Sequence, residues 1–351
     1  MFPESFAARW IERLTRPGES ILDPFCGRGT LPFQALLMGR RAVGCDTNPV
    51  ACCVSRAKTN APDLSLVIAR IDDLERKYTP RHYNEKAKTS SAFFKLAYHS
   101  TTLRQLLYLR ENLKHQDSAV DCMIAALALG SLHGEALRSE RFLSNQMPHT
   151  ISTKPEYSIR FWQRHGHTPP ERDAFELLKR QATFRYHTGR PNGRAIILQT
   201  DMREIPRRLK LHRPSSRCVI TSPPYFDVTN YSEDQWLRLW FLGGEPKPIK
   251  TAYSRDDRHG NLDNYWALLA DMWRVLGLAL GPKSNVVIRL GARRITPDRL
   301  VSGLMGVARA SGRRVRLVAH EVSEINNRQT RAFRPGTIGC KLEVDCHFHL
   351  G

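Results

Sequence analysis

The chain has 351 residues, with 54 lysines and arginines against 34 acidic residues, for a formal charge of +20. A hydrophobic content of 41% with 25% charged residues is ordinary for a globular protein, and no apolar run approaches the roughly 20 residues of a membrane helix. The opening Met1-Phe2-Pro3-Glu4-Ser5 lacks a basic-then-apolar signal pattern, so a cytoplasmic, nucleoid-associated protein is expected. Such a positive field attracts polyanions, and a phosphate backbone is the expected partner.

In chain order, the first sixty residues read as strand, turn, helix, strand, helix. Pro17-Gly18 leads into the apolar strand Ser20-Ile21-Leu22-Asp23. Gly27 and Gly29 make a turn, and Thr30 to Met38 is an apolar helix ending near Gly39. Ala42 to Asp46 is a second buried strand, and Asn48-Pro49 opens the next helix. The unit is βαβ, hence a parallel sheet.

From 62 to 192 helical periodicity dominates, as in Leu103, Leu106 and Leu107 or Met123 to Leu129. This stretch reads as a mostly helical insertion. Strand signals resume at Ala195 to Gln199, Cys218 to Thr221 and Asn285 to Leu290, with a helix over Asn264 to Leu280. Val315 to Glu321 and Lys341 to His349 alternate as an antiparallel pair. The expected fold is α/β, a doubly wound seven-stranded sheet carried by residues 1–61 and 193–351, with 62–192 inserted.

The glycine turn lies where such sheets bind ligands, beyond the carboxyl ends of strands. Gly27 and Gly29 allow close backbone approach. A dinucleotide fingerprint needs a third glycine where Pro32 stands, which favours a cofactor without phosphate, such as S-adenosylmethionine. Asp46, ending the second strand, suits ribose hydroxyls; Asp201, ending the third, suits an adenine amino group. Either acid is alternatively a helix cap.

Thr221-Ser222-Pro223-Pro224-Tyr225 follows an apolar strand far downstream. The amine of a nucleobase is a poor nucleophile because its lone pair is delocalised into the ring. Ser222 and the Pro223 carbonyl offer two acceptors that favour a pyramidal nitrogen. Proline stiffens the turn, and Tyr225 can stack on an extruded base. Carbon-5 methylation needs a nucleophilic cysteine, usually after proline, and no Pro-Cys dipeptide occurs. Eight cysteines without a CxxC pair and thirteen histidines without ligand spacing suggest no metal.

These two motifs, with Phe2-Pro3-Glu4, Gly39-Arg40 and Gly44-Cys45-Asp46-Thr47-Asn48-Pro49, resemble DNA amino-methyltransferases that use S-adenosylmethionine. The similarity covers residues 1–60 and 195–290. It implies a Rossmann-like methyltransferase sheet with cofactor contacts at Pro3, Asp23, Phe25, Cys26, Gly27, Gly29, Thr30, Asp46, Thr47, Asn48, Asp201 and Met202. It implies catalysis at Ser222, Pro223, Pro224 and Tyr225 by direct transfer to a flipped base. Serine in the first position resembles the N4-cytosine branch; N6-adenine methylation of DNA and an RNA base-amino methyltransferase stay open. Such enzymes belong to restriction-modification pairs, so a cognate endonuclease is an implied partner. Phe226, Tyr231, Arg207, Arg208, Arg293 and Arg294 are the DNA-binding candidates, with the insertion as a possible target-recognition region. Trp236, Trp240 and Phe241, at helical spacing, read as core.

Overall fold

The computed structural model describes residues 2–134, 140–147, 154–209, 216–226, 235–249, 261–325 and 340–351. Seven strands form one sheet: β1 (Ser20–Asp23), β2 (Arg41–Asp46), β3 (Ile196–Gln199), β4 (Ser216–Thr221), β5 (Leu280–Gly291), β6 (Val315–Glu324) and β7 (Leu342–Leu350). Their order is β3-β2-β1-β4-β5-β7-β6. The first five run parallel, and β7 lies between β5 and β6, antiparallel to both. The expected antiparallel pair exists, and its second strand is the one that joins the parallel sheet.

Parallel strands are buried on both faces, which explains their continuous apolar runs. Ile21 and Leu22 are both buried but belong to different cores, as do Ile220 and Val219. Successive side chains point to opposite faces, so each strand feeds both. One core gathers Phe6, Trp10 and Ile11 from the helix Glu4–Leu14 with Leu31 and Cys52. The other is built on Trp273, Met272 and Leu269 of the helix Leu262–Ala279. Asn261 starts that helix by accepting from Asp263 N at 2.9 Å.

The helix Glu4–Leu14 was not among the expected elements, although Phe6, Ala7, Trp10 and Ile11 are spaced for one apolar face. Its Pro3 is the N-cap residue.

The chain divides into two compact units. One comprises residues 1–60, 191–230 and 253–351 and contains the sheet; the other comprises 61–190 and 231–252. Residues 231–252 therefore depart from the expected catalytic stretch 193–351. The physical reason is aromatic packing within the helical unit. Trp236 lies 4.9 Å from Phe93 and Trp240 lies 4.5 Å from Phe94, ring centre to ring centre. Arg110 also donates to the Trp240 carbonyl at 2.7 Å. Trp236, Trp240 and Phe241 are buried, as their spacing suggested. Among the described residues, no helix is long and apolar enough to cross a membrane.

Candidate active site

The chain runs outward from β1 to β2 and β3, then returns to place β4 on the other side of β1. The carboxyl ends of β1 and β4 are thus the switch point where open α/β sheets bind ligands. Both motifs sit there. Ile21 pairs with Cys218 and Leu22 with Val219, so Asp23 and Thr221 end their strands side by side. Thr221 Oγ1 donates to Asp23 Oδ1 at 2.6 Å, and Phe25 N donates to the same oxygen at 3.1 Å. The glycine turn and the Ser222–Tyr225 loop are tied together by that carboxyl.

Burial raises the Asp23 carboxyl to about 7, against the two hydrogen bonds that lower it; nearby Asp46 raises it further. The folded protein therefore keeps a proton that the unfolded chain releases near pH 4. Stability falls as pH rises from about 4 to 7 and is level above, with a total loss of about 4 kcal/mol for this group. Asp23→Asn keeps an oxygen for Thr221 and should remove that slope in urea unfolding followed between pH 4 and 8. A slope unchanged in the variant would mean that Asp23 is not its source.

The turn itself is held by three neighbours. Gly27 and Gly29 take φ of +51° and +74°, a region costly for residues with a Cβ. A Cβ at Gly29 would stand 2.6 Å from Ser55 Oγ, whereas one at Gly27 would meet no atom within 4 Å. Ser55 Oγ donates to the Gly27 carbonyl at 2.8 Å, and Lys58 Nζ to the Arg28 carbonyl at 2.9 Å. Gly29 is constrained by packing, while Gly27 borders open space.

Asp46 closes the arrangement from β2. Its carboxylate accepts from Gly27 N at 2.9 Å and from Asn48 N at 2.8 Å. The cap of the helix Pro49–Thr59 is Asn48, whose side chain accepts from Val50 N, so Asp46 is not that cap. It is partly exposed.

Asp201 caps the short helix Met202–Glu204 and accepts Arg203 Nη1 on both oxygens, at 2.8 and 2.6 Å. Arg203 in turn pairs with Asp271 at 2.6 Å. The capping alternative for Asp201 is the one observed. Met202 is buried and belongs to the core built on Trp273. Cys26 is buried, with its thiol pushed well up by desolvation; its N–H donates to the Cys45 carbonyl at 2.9 Å. Phe25 packs partly against the core, Thr30 begins the helix Thr30–Leu37, and Thr47 and Pro3 are exposed.

In the downstream loop Pro223 is buried and Ser222, Pro224, Tyr225 and Phe226 are partly exposed. Tyr225 Oη donates to Glu343 Oε1 at 2.6 Å, and burial with that carboxylate pushes the phenol well up. Phe226 bridges to Ala292 and lies 5.5 Å from Tyr265. With Trp266, Arg294 and Arg299 it lines a cleft of ≈ 370 Å³. A second cleft of ≈ 630 Å³ is lined by Arg293, Arg294, Lys341 and Glu343. Arg208 is exposed, and Arg207 pairs with Glu204 at 2.6 Å. Tyr231 lies outside the described residues.

Glu343 was not anticipated. Its signal was present: β7 carries Glu343 and Asp345 two apart, and β5 carries Arg289 among Val286, Val287, Ile288 and Leu290. A charge within an apolar strand calls for a partner, and these two strands pair.

Strand order and the joined motifs define a Rossmann-like α/β domain of the methyltransferase type. Residues 1–56 match the N6/N4-methyltransferase family described as DNA methylase, so the resemblance to DNA amino-methyltransferases is shown over the opening βαβ unit. Among solved structures, the rRNA methyltransferase aviRa from Streptomyces viridochromogenes aligns with 99% of this chain and 85% of its own. That alignment has 17% identity and a TM-score of 0.34. No curated protein matches the chain.

Proposed function

We propose that this protein transfers a methyl group from S-adenosylmethionine to the exocyclic N4 amine of cytosine in DNA. The observation that carries the reading is the Thr221–Asp23 hydrogen bond of 2.6 Å, which fastens the acceptor loop to the glycine turn.

The residues suit the cofactor. Gly27 leaves open space at a positive φ, which fits the amino-acid part of the ligand, and partly exposed Asp46 fits its ribose hydroxyls. Asp201, paired with Arg203, and Met202, whose side chain is buried, remain cofactor contacts in this reading. When bound, S-adenosylmethionine supplies a methyl group on a positively charged sulfur.

The chain's own residues prepare the amine. Ser222 Oγ accepts one amine hydrogen and the Pro223 carbonyl the other, which draws the nitrogen towards the pyramidal geometry of the transition state. Phe226 and the ring of Tyr225 flank the base, which leaves the duplex to reach them. Arg293, Arg294 and Lys341 around the larger cleft take backbone phosphates. The helical unit adds an exposed Phe184 with Arg141 and Arg185 over its ring at 5.4 and 5.7 Å, a surface suited to stacking and phosphate contact. A cognate endonuclease is the partner this activity implies.

Labelled S-adenosylmethionine incubated with the protein and either DNA or RNA, followed by digestion to nucleosides, tests the proposal. N4-methylcytosine in DNA is the expected product. N6-methyladenine would move the target to the other amine, label confined to RNA would move the substrate, and no label in either polymer would overturn the reading.

A further inference from the structure

We propose that the smaller cleft, walled by Phe226 and Trp266, is a second nucleotide site. It holds the neighbour of the methylated base on the same DNA strand, by stacking and by a phosphate contact. This deepens the reading of the protein as a DNA methyltransferase and rests on it.

The walls are aromatic. Tyr265 is fully buried, and its ring lies 5.4 Å from Trp266 and 5.5 Å from Phe226, centre to centre. The two outer rings pack against the core yet stay partly exposed, so the protein holds them in place while they line the cleft. Gly303, on the helix Pro297–Ala308, makes room for the indole. A Cβ there would stand 2.2 Å from Trp266 Cη2 and 2.4 Å from Cζ2; the missing side chain is the space that the six-membered ring fills.

Charge narrows what such a cleft takes. Arg294 and Arg299 line it and are exposed, and among the described residues that line it none is acidic. A flat apolar group carrying an anion matches both features. A nucleotide in a strand is that combination: its base stacks on an aromatic ring whatever the sequence, and arginine takes the phosphate. The volume of ≈ 370 Å³ lies within the range of about 300–1,000 Å³ usual for small-ligand sites.

Position makes the occupant a neighbour of the target. Phe226 directly follows Tyr225 and bridges to Ala292, the residue after β5. The cleft therefore opens where the Ser222–Tyr225 loop ends. Arg294 and Ile295 line both clefts, so a backbone held by Arg293 and Lys341 continues into the smaller one.

The test is binding of labelled single strands to full-length protein, followed by fluorescence anisotropy. One strand is mixed-sequence DNA, a second is its RNA counterpart, and a third is a DNA backbone without bases. Trp266→Ala should bind the intact DNA about 5- to 100-fold more weakly and the baseless strand as the unaltered protein does. Trp266→Phe keeps a ring and should recover part of the loss. Arg299→Gln, an exposed change that spares the core, should weaken both DNA strands and lower the slope of log affinity against log salt by about 0.7. On a strand that the protein methylates, removing the one base beside the target should cost the unaltered protein affinity and cost Trp266→Ala nothing further. Equal losses on intact and baseless strands, or an unchanged salt slope, would overturn the site; the same signature at a distant base would overturn its placement. The pattern on RNA alone would overturn DNA as the occupant. Methylated DNA with every variant binding as before removes the cleft and leaves the activity. The binding pattern in a protein that methylates no polymer removes the activity and leaves the cleft.

Discussion

Ser222→Ala should reduce kcat by about 10²- to 10³-fold, the usual effect of removing one transition-state hydrogen-bond partner, while binding S-adenosylmethionine as before. The asymmetry follows from position. Ser222 begins the loop after β4, whereas the glycine turn follows β1. The cofactor contacts proposed for Gly27 and Asp46 arise on β1 and β2 and survive the change. Threonine at 222 restores an oxygen and should recover part of the rate; alanine cannot. Calorimetry for cofactor affinity and single-turnover methylation for rate separate the two quantities. A parallel loss of affinity and rate would mean that Ser222 lies against the cofactor instead of the amine.

The second large effect concerns the two glycines, which differ in what constrains them. Gly29→Ala forces alanine into a left-handed conformation, at about 1–2 kcal/mol. Its new methyl meets Ser55 at 2.6 Å from Oγ and 3.1 Å from the backbone Cα, and overpacking of that kind costs about 1–3 kcal/mol more. The helix Pro49–Thr59 must shift, and with it the Ser55 bond to Gly27. The variant should lose stability in urea unfolding by several kcal/mol, on the order of 2–5. Gly27→Ala has the conformational cost alone, because no atom lies within 4 Å of the added carbon. Its fold should suffer less, while cofactor affinity falls about tenfold or more, equivalent to about 1.4 kcal/mol. Equal stability and unaltered affinity for Gly27→Ala would remove the glycine turn from the cofactor site.

Much of this arrangement was legible because it is contiguous. The turn from Asp23 to Thr30 and the loop from Ser222 to Tyr225 each carry their chemistry within a few residues, and each follows an apolar strand. The βαβ opening implied a parallel sheet, and parallel pairing brings strand ends with motifs to one edge. What escaped depended on partners remote in sequence. Glu343 meets Tyr225 only because β7 enters between the sheet and β6. Trp236 and Trp240 have the periodicity of a buried helix in either unit; periodicity cannot say that Phe93 and Phe94 are their neighbours. Asp201 resembled Asp46 as an acid closing a strand. Arg203, two residues on, is what distinguishes it, since a cation there captures the carboxylate. The helix Glu4–Leu14 has a local signal of its own, the stripe of Phe6, Ala7, Trp10 and Ile11.

The decisive measurement is a crystal structure of the protein with S-adenosylhomocysteine bound. Its sulfur should face Ser222 Oγ across a gap that admits one amine nitrogen and one methyl carbon, with the ribose on Asp46. A thioether turned away from the Ser222–Tyr225 loop, or a ligand seated elsewhere than the turn at Gly27, would contradict the account.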